Sequence, residues 1–182
     1  MSEIQVNTIN EYTGASGVTI DGLLIKDGAI PSISGGKVLQ VVQATSSTQT
    51  NRTATSYGNT TLSGTITPSA TDSKILILIS QTMDTQSNTT QNTEIALKVV
   101  QTISATDTDI YENTAFMKIN ADYGAFGYAQ TRGTYAVNIL DSPSTTSAIT
   151  YKTMMKNNLS GGSATAQSGN QPSHMILIEI GA

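Results

Sequence analysis

Residues able to do chemistry are few and scattered in this chain. The run Thr106-Asp107-Thr108-Asp109-Ile110-Tyr111-Glu112 places three carboxylates within six residues. On a strand, Asp107 and Asp109 share a face, and such a pair can ligate a hard cation such as Ca²⁺. The spacing and glycine of an EF-hand loop are missing, so a solvated strand edge is the expectation and no metal is predicted. His174 is the sole histidine and there is no cysteine. A zinc site would have to be shared across subunits, and a Ser/His/Asp triad would have to use His174 without any Gly-x-Ser-x-Gly elbow. Gly14-Ala15-Ser16-Gly17 lacks the Lys and the strand–helix setting of a phosphate loop and reads as a turn. Nothing selects a pair for sugar hydrolysis from the thirteen acids. No catalytic residue and no cofactor are expected.

Glycan binding is the more serious chemical option, because sugars present both apolar faces and hydroxyl groups. Tyr123, Tyr128, Arg132 and Tyr135 gather within thirteen residues around Phe126. They are the candidate receptor contacts. The plainer alternative makes Phe126 a core residue and the tyrosines cross-strand or subunit contacts. Residues 82–91 and 157–171 are polar and rich in small side chains. They read as loops, where a head would meet a host surface.

Composition narrows the classes. Thr, Ser, Asn and Gln supply 72 of the 182 residues, and charged residues only 12%, with a net charge of −4. Such a chain lacks the basic footprint of a nucleic-acid binder and the polybasic patch of a membrane-surface protein. No apolar run approaches the roughly 20 residues of a spanning helix, so no membrane insertion is expected. The start Met1-Ser2-Glu3-Ile4 has neither a basic nor an apolar region of a signal peptide. Recurrent β-branched apolar stretches argue against disorder.

The elements that must position these residues are strands. Residues 1–36 form an arm with short strand signals at 4–9, 18–20 and 23–25. The last two are separated by Asp21-Gly22, a favoured tight-turn pair. A Ser, Pro and Gly-rich linker follows. Such an arm cannot fold alone. Its apolar residues Ile4, Val6, Ile9, Val18, Ile20, Leu23, Leu24 and Ile25 need burial, by other copies, by a partner or by the arm's own head. From 37 to 182 the signal is β throughout. Strands are expected at 37–44, 56–67, 73–82, 92–103, 109–119, 148–156 and 173–180, with a hairpin turning at Arg132-Gly133 between 124–130 and 134–140. Strands with polar turns between them predict a β-sandwich or jelly roll.

Three strands are apolar on both faces. In 73–82, Ile75, Ile77 and Ile79 oppose Leu76 and Leu78. In 173–180, Ile176, Ile178 and Ile180 oppose Met175 and Leu177. In 37–44, Val38 and Val42 oppose Leu39 and Val41. A two-layer sandwich hides inner faces only, so the outer faces need another cover. Subunit packing is the expected one, with Leu76, Leu78, Met175 and Leu177 as interface residues. Long loops are the alternative.

The arm Ile4-Gln5-Val6-Asn7-Thr8-Ile9 … Gly17-Val18-Thr19-Ile20-Asp21-Gly22-Leu23-Leu24-Ile25-Lys26-Asp27-Gly28 resembles the opening of tailed-phage fibre and virion proteins, those of cyanophages most in style. The segments 66–77 and 140–152 and the ending Met175-Ile176-Leu177-Ile178-Glu179-Ile180-Gly181-Ala182 are similar to the β-rich distal domain of the same group. The resemblance implies a homotrimeric virion protein. Its arm (1–36) would attach to other phage virion proteins, and its β-sandwich head (37–182) could meet a host cell-surface glycan. No heptad, collagen-like or β-helical shaft lies between arm and head. A short tail fibre is therefore the expectation. A capsid decoration or head fibre is the alternative, and a carbohydrate-binding β-sandwich the third reading. The expected location is the virion, on tail or capsid surface.

Overall fold

A computed structural model describes residues 18–20, 23–25, 36–87, 92–120, 129–159 and 162–181. The chain divides into two compact units, Met1–Gly35 and Gly36–Ala182. In the first, β1 (Val18–Ile20) and β2 (Leu23–Ile25) pair antiparallel with Ile20 opposite Leu23, so two residues connect them. Ile4, Val6 and Ile9 lie outside the described residues.

The second unit is an antiparallel β-sandwich. Its strands are β3 (Lys37–Ser46), β4 (Thr50–Arg52), β5 (Gly58–Ile66), β6 (Lys74–Ser87), β7 (Thr93–Ile103), β8 (Thr106–Ile119), β9 (Ala129–Asp141), β10 (Ile149–Asn157), β11 (Gly162–Ala166) and β12 (Ser173–Gly181). One sheet runs β5-β10-β7-β8. The other centres on β6. On one side β6 pairs with β9 along its whole length, and on the other with β12 and then β11. β3 flanks β12, and β4 flanks β11.

Alternation along the strands builds the core between the sheets. Ile75, Ile77 and Ile79 from β6 and Met175 and Leu177 from β12 meet Leu62, Leu97 and Tyr151 of the opposing sheet. Each is at most 2% exposed. Gly64 sits where β5 crosses the other sheet. A Cβ there would lie 3.2 Å from the Ala44 Cβ and 3.3 Å from a Leu177 methyl, so a side chain at 64 would force the layers apart. The link between β7 and β8 is a two-residue turn with Ser104 at φ 49° and Ala105 at φ 65°. This backbone favours Asn and Gly, and here it is imposed on Ser and Ala by the pairing on either side.

Three expectations need correction. The first concerns the last strand, whose faces are the reverse of those assigned. Met175 and Leu177 are fully buried in the core and are not interface residues, while Ile176, Ile178 and Ile180 look outward. Glu179 shares the inward parity of Met175 and Leu177, and hydrogen bonds from Ser69, Ser73 and Gln40 accommodate its charge. Second, no hairpin turns at Arg132-Gly133: β9 runs through both, paired without a register break to β6. The 14-residue β6 offers a template long enough to hold the whole strand extended. Third, residues 82–87 and 162–166 are strand, not loop, and Ser163, Ala164, Thr165 and Ala166 are buried. Their small side chains serve close packing and not mobility.

Candidate functional site

The sandwich has two outer faces, and they differ in chemistry. On the β5-β10-β7-β8 sheet, outward positions carry cross-strand charges that satisfy one another. Lys98 Nζ lies 2.8 Å from Asp109 Oδ1, and Lys152 Nζ 2.8 Å from Asp107 Oδ2. Thr102 also donates to Asp107 at 2.6 Å. The Lys152 and Thr102 hydrogen bonds hold the Asp107 carboxyl below its ordinary range. Lys98 and Lys156 place their ammonium groups 4.8 and 4.7 Å from the Tyr57 ring centroid. Tyr57 in turn donates to Glu112 at 2.8 Å. Burial first, then that bond, pushes the Tyr57 phenol well above its ordinary range. Asp107, Asp109 and Glu112 are thus occupied by lysines and a tyrosine. Among the described residues no group of three or more acids or histidines is placed to hold a metal ion.

The outer face of the other sheet is apolar over the half formed by β3, β12, β6 and β9. Strand pairing aligns Val41, Ile178, Leu76 and Leu140 in one row across all four strands. The next row is Gln43, Ile176, Leu78 and Asn138. The third is Thr45, His174, Ser80 and Ala136. None of these positions carries Asp, Glu, Lys or Arg. Among the described residues, the large apolar side chains that stand exposed are Val38, Leu39 and Val41 on β3 and Leu140 on β9. Val41 is 58% exposed and Leu140 55%. The small residues Ser80 and Ala136 leave a shallow, open hollow of about 400 Å³, bordered by Leu78, Asn138, His174 and Ile176. Thr45 Oγ1 lies 3.1 Å from His174 Nδ1 and fixes the ring at the rim.

The far half of the same outer face, formed by β9, β6, β11 and β4, is polar. Asp84 is 2% exposed and accepts Arg132 Nε at 2.9 Å, Ser168 Oγ at 3.3 Å and the amide of Gln130. The short 3-10 turn Ser168–Asn170 sits beside this cluster.

These positions sort the residues expected from sequence. Leu76 and Leu78 lie on the apolar outer face. Arg132 is on β9, half exposed and anchored by Asp84. Tyr135 is on the opposite face of β9, tilted against Phe116 with ring centroids 5.4 Å apart and packed on the core. It cannot share a sugar platform with Arg132, because adjacent faces of one strand point to different layers. Tyr123 and Tyr128 lie outside the described residues. Val18 and Ile20 fall in β1, and Leu23, Leu24 and Ile25 in β2. Sequence reasoning missed Val41, Leu140, Ile176 and Ile178 as members of the exposed face. The two apolar faces of β12 are equivalent in sequence, so the sequence alone does not tell which of them is outward.

No family model matches the chain, and no curated protein matches it. Solved structures of infectious bursal disease virus are distantly similar. The Gx strain structure aligns with TM-score 0.35 and 12% identity over 78% of this chain and 38% of the viral one. The VP2 subviral particle of the same virus aligns with TM-score 0.35 and 10% identity over 79% and 40%. This chain spans about two fifths of those longer chains. A likeness this remote carries no argument about function. The class defined by the fold itself is an all-β, two-sheet sandwich.

Proposed function

We propose that this chain is a structural, non-enzymatic virion protein of a tailed phage, a short homotrimeric tail appendage attached by its N-terminal arm. The observation that carries the reading is the contrast between the two outer faces. One is a closed ladder of ion pairs suited to water. The other is an apolar row four strands wide, the kind of patch that marks an interaction surface. The sequence resemblance of arm and head supplies the setting, a virion. The polar surface near Arg132 is the part of the head open to a host glycan.

Dimensions favour two contributions to assembly. Four strands about 4.8 Å apart and seven residues at about 3.4 Å give roughly 400 Å² of face, half the ~800 Å² a partner brings to a stable interface. The heads alone would associate weakly. The arm strands, three residues each, need partners of their own, and bundling arms from several copies supplies the rest.

Immuno-electron microscopy of intact virions tests the proposal. Label on the tail supports it, and label on the capsid would move the protein to a head-fibre role. Virions without label would refute both.

A further inference from the structure

The apolar outer face carries both a knob and a hollow. Leu140 stands 55% exposed at the edge of the sheet, on β9. Two rows along, Ala136 of β9 and Ser80 of β6 leave the hollow walled by Leu78, Asn138, His174 and Ile176. Both features are uncharged and open on the same side of the same sheet. A flat apolar face could receive many partners, but a projecting side chain beside a recess of its own chemistry is self-complementary. Every copy brings both halves, so the face is satisfied by more of the same chain. The opposite outer face is a poor match for it, since its paired lysines and carboxylates would lose their water against apolar surface.

We propose that Leu140 of one copy seats in the hollow between Ser80, Ala136 and His174 of a second copy. This inference rests on the self-assembling reading above and names the contact that assembly makes. Seated there, Leu140 would be a central, desolvated anchor of the kind that dominates interface energetics, with Asn138 and His174 as its polar rim. The β9 edge would lie at the junction, and the row Val41–Ile178–Leu76 would be covered as the copies close.

Cysteine crosslinking tests this directly, because the chain has no cysteine of its own. The variant Leu140→Cys/Ala136→Cys is made in the whole chain, where both positions are exposed. The two positions are four residues apart on one strand, roughly 13 Å, beyond the about 4.4–6.8 Å between Cα atoms that a disulfide spans. A bond between them can form only between copies. Mild oxidation should give reducible products of two or more chains from the double variant and none from either single variant. Crosslinking of Leu140→Cys alone to the same extent would place knob against knob and overturn the proposal. So would a double variant that light scattering shows assembled yet leaves uncrosslinked, with the assembly itself standing. A full-length wild-type chain that stays monomeric would instead refute the assembled-protein reading on which the contact rests.

Discussion

Glu179 offers a sharp test of how the head is held together. It lies on β12, facing inward and fully buried. Its Oε1 accepts the Ser69 backbone N–H, the Ser69 hydroxyl and the Ser73 hydroxyl, each at 2.7 Å. Its Oε2 accepts Gln40 Nε2 at 2.6 Å, and the same amide donates to the Thr67 carbonyl at 2.7 Å. One carboxylate thus fastens the segment between β5 and β6 to β12 and β3. Burial pushes its pKa up, but the hydrogen bonds from Ser69, Gln40 and Ser73 outweigh it and hold the group at about 2. In Glu179→Gln the amide oxygen can keep the serines, but the new NH₂ faces Gln40 Nε2, donor against donor. Charge-assisted bonds are worth about 1.5–3 kcal/mol each, and one is lost while the others weaken, so the cost is about 2–4 kcal/mol. The folded-state pKa lies below the unfolded one of about 4.3, so the carboxylate's contribution is complete above that pH. It fades as pH falls from there toward 2. Urea unfolding at fixed protein concentration, from pH 7 down to pH 2.5, reads both effects. The variant should be less stable at pH 7, with the gap closing through the acid window. A variant within about 0.5 kcal/mol of wild type at pH 7, or a gap unchanged at pH 2.5, would refute this role.

Other expected outcomes follow from the same geometry. Ile77→Asp puts an unpaired charge between the sheets and should abolish folding, seen as loss of the cooperative transition in circular dichroism. Ala105→Gly relieves a left-handed backbone in the β7–β8 turn and should raise stability by about 1 kcal/mol in chemical unfolding. Removing residues 1–30 should leave a folded head that sediments as a weakly associating species and is absent from virions in complementation assays.

Much of the fold was legible because strand alternation is a strong signal. Ile75, Ile77 and Ile79 announced one core face of β6, and Leu76 and Leu78 an apolar outer face. What failed did so for physical reasons. In β12 both faces are aliphatic, so only register with β6 decides that Met175 and Leu177 point inward. Glu179 then looks misplaced until Ser69, Ser73 and Gln40, from distant parts of the chain, are brought around it. Arg132-Gly133 carries turn chemistry, but a long neighbouring strand and the Asp84 carboxylate keep it extended. The carboxylates at 107, 109 and 112 read as a solvated strand edge, and their partners are Lys152 two strands away, Lys98 on the neighbouring strand and Tyr57 from a distant part of the chain. The hollow at Ser80 and Ala136 was invisible because it arises from three strands in register.

The central claim is that the apolar outer face of β3, β12, β6 and β9 is an interface between copies. Light scattering coupled to size exclusion, on the full-length wild type and on Leu76→Asp, tests it most directly. Leu76 is half-buried in the middle of the exposed row, and an Asp there can still reach water in a free chain. The account predicts a three-chain mass for wild type. It predicts a folded single chain, with unchanged circular dichroism, for the variant. A monomeric wild type, or a Leu76→Asp protein that keeps the full assembled mass, would contradict it.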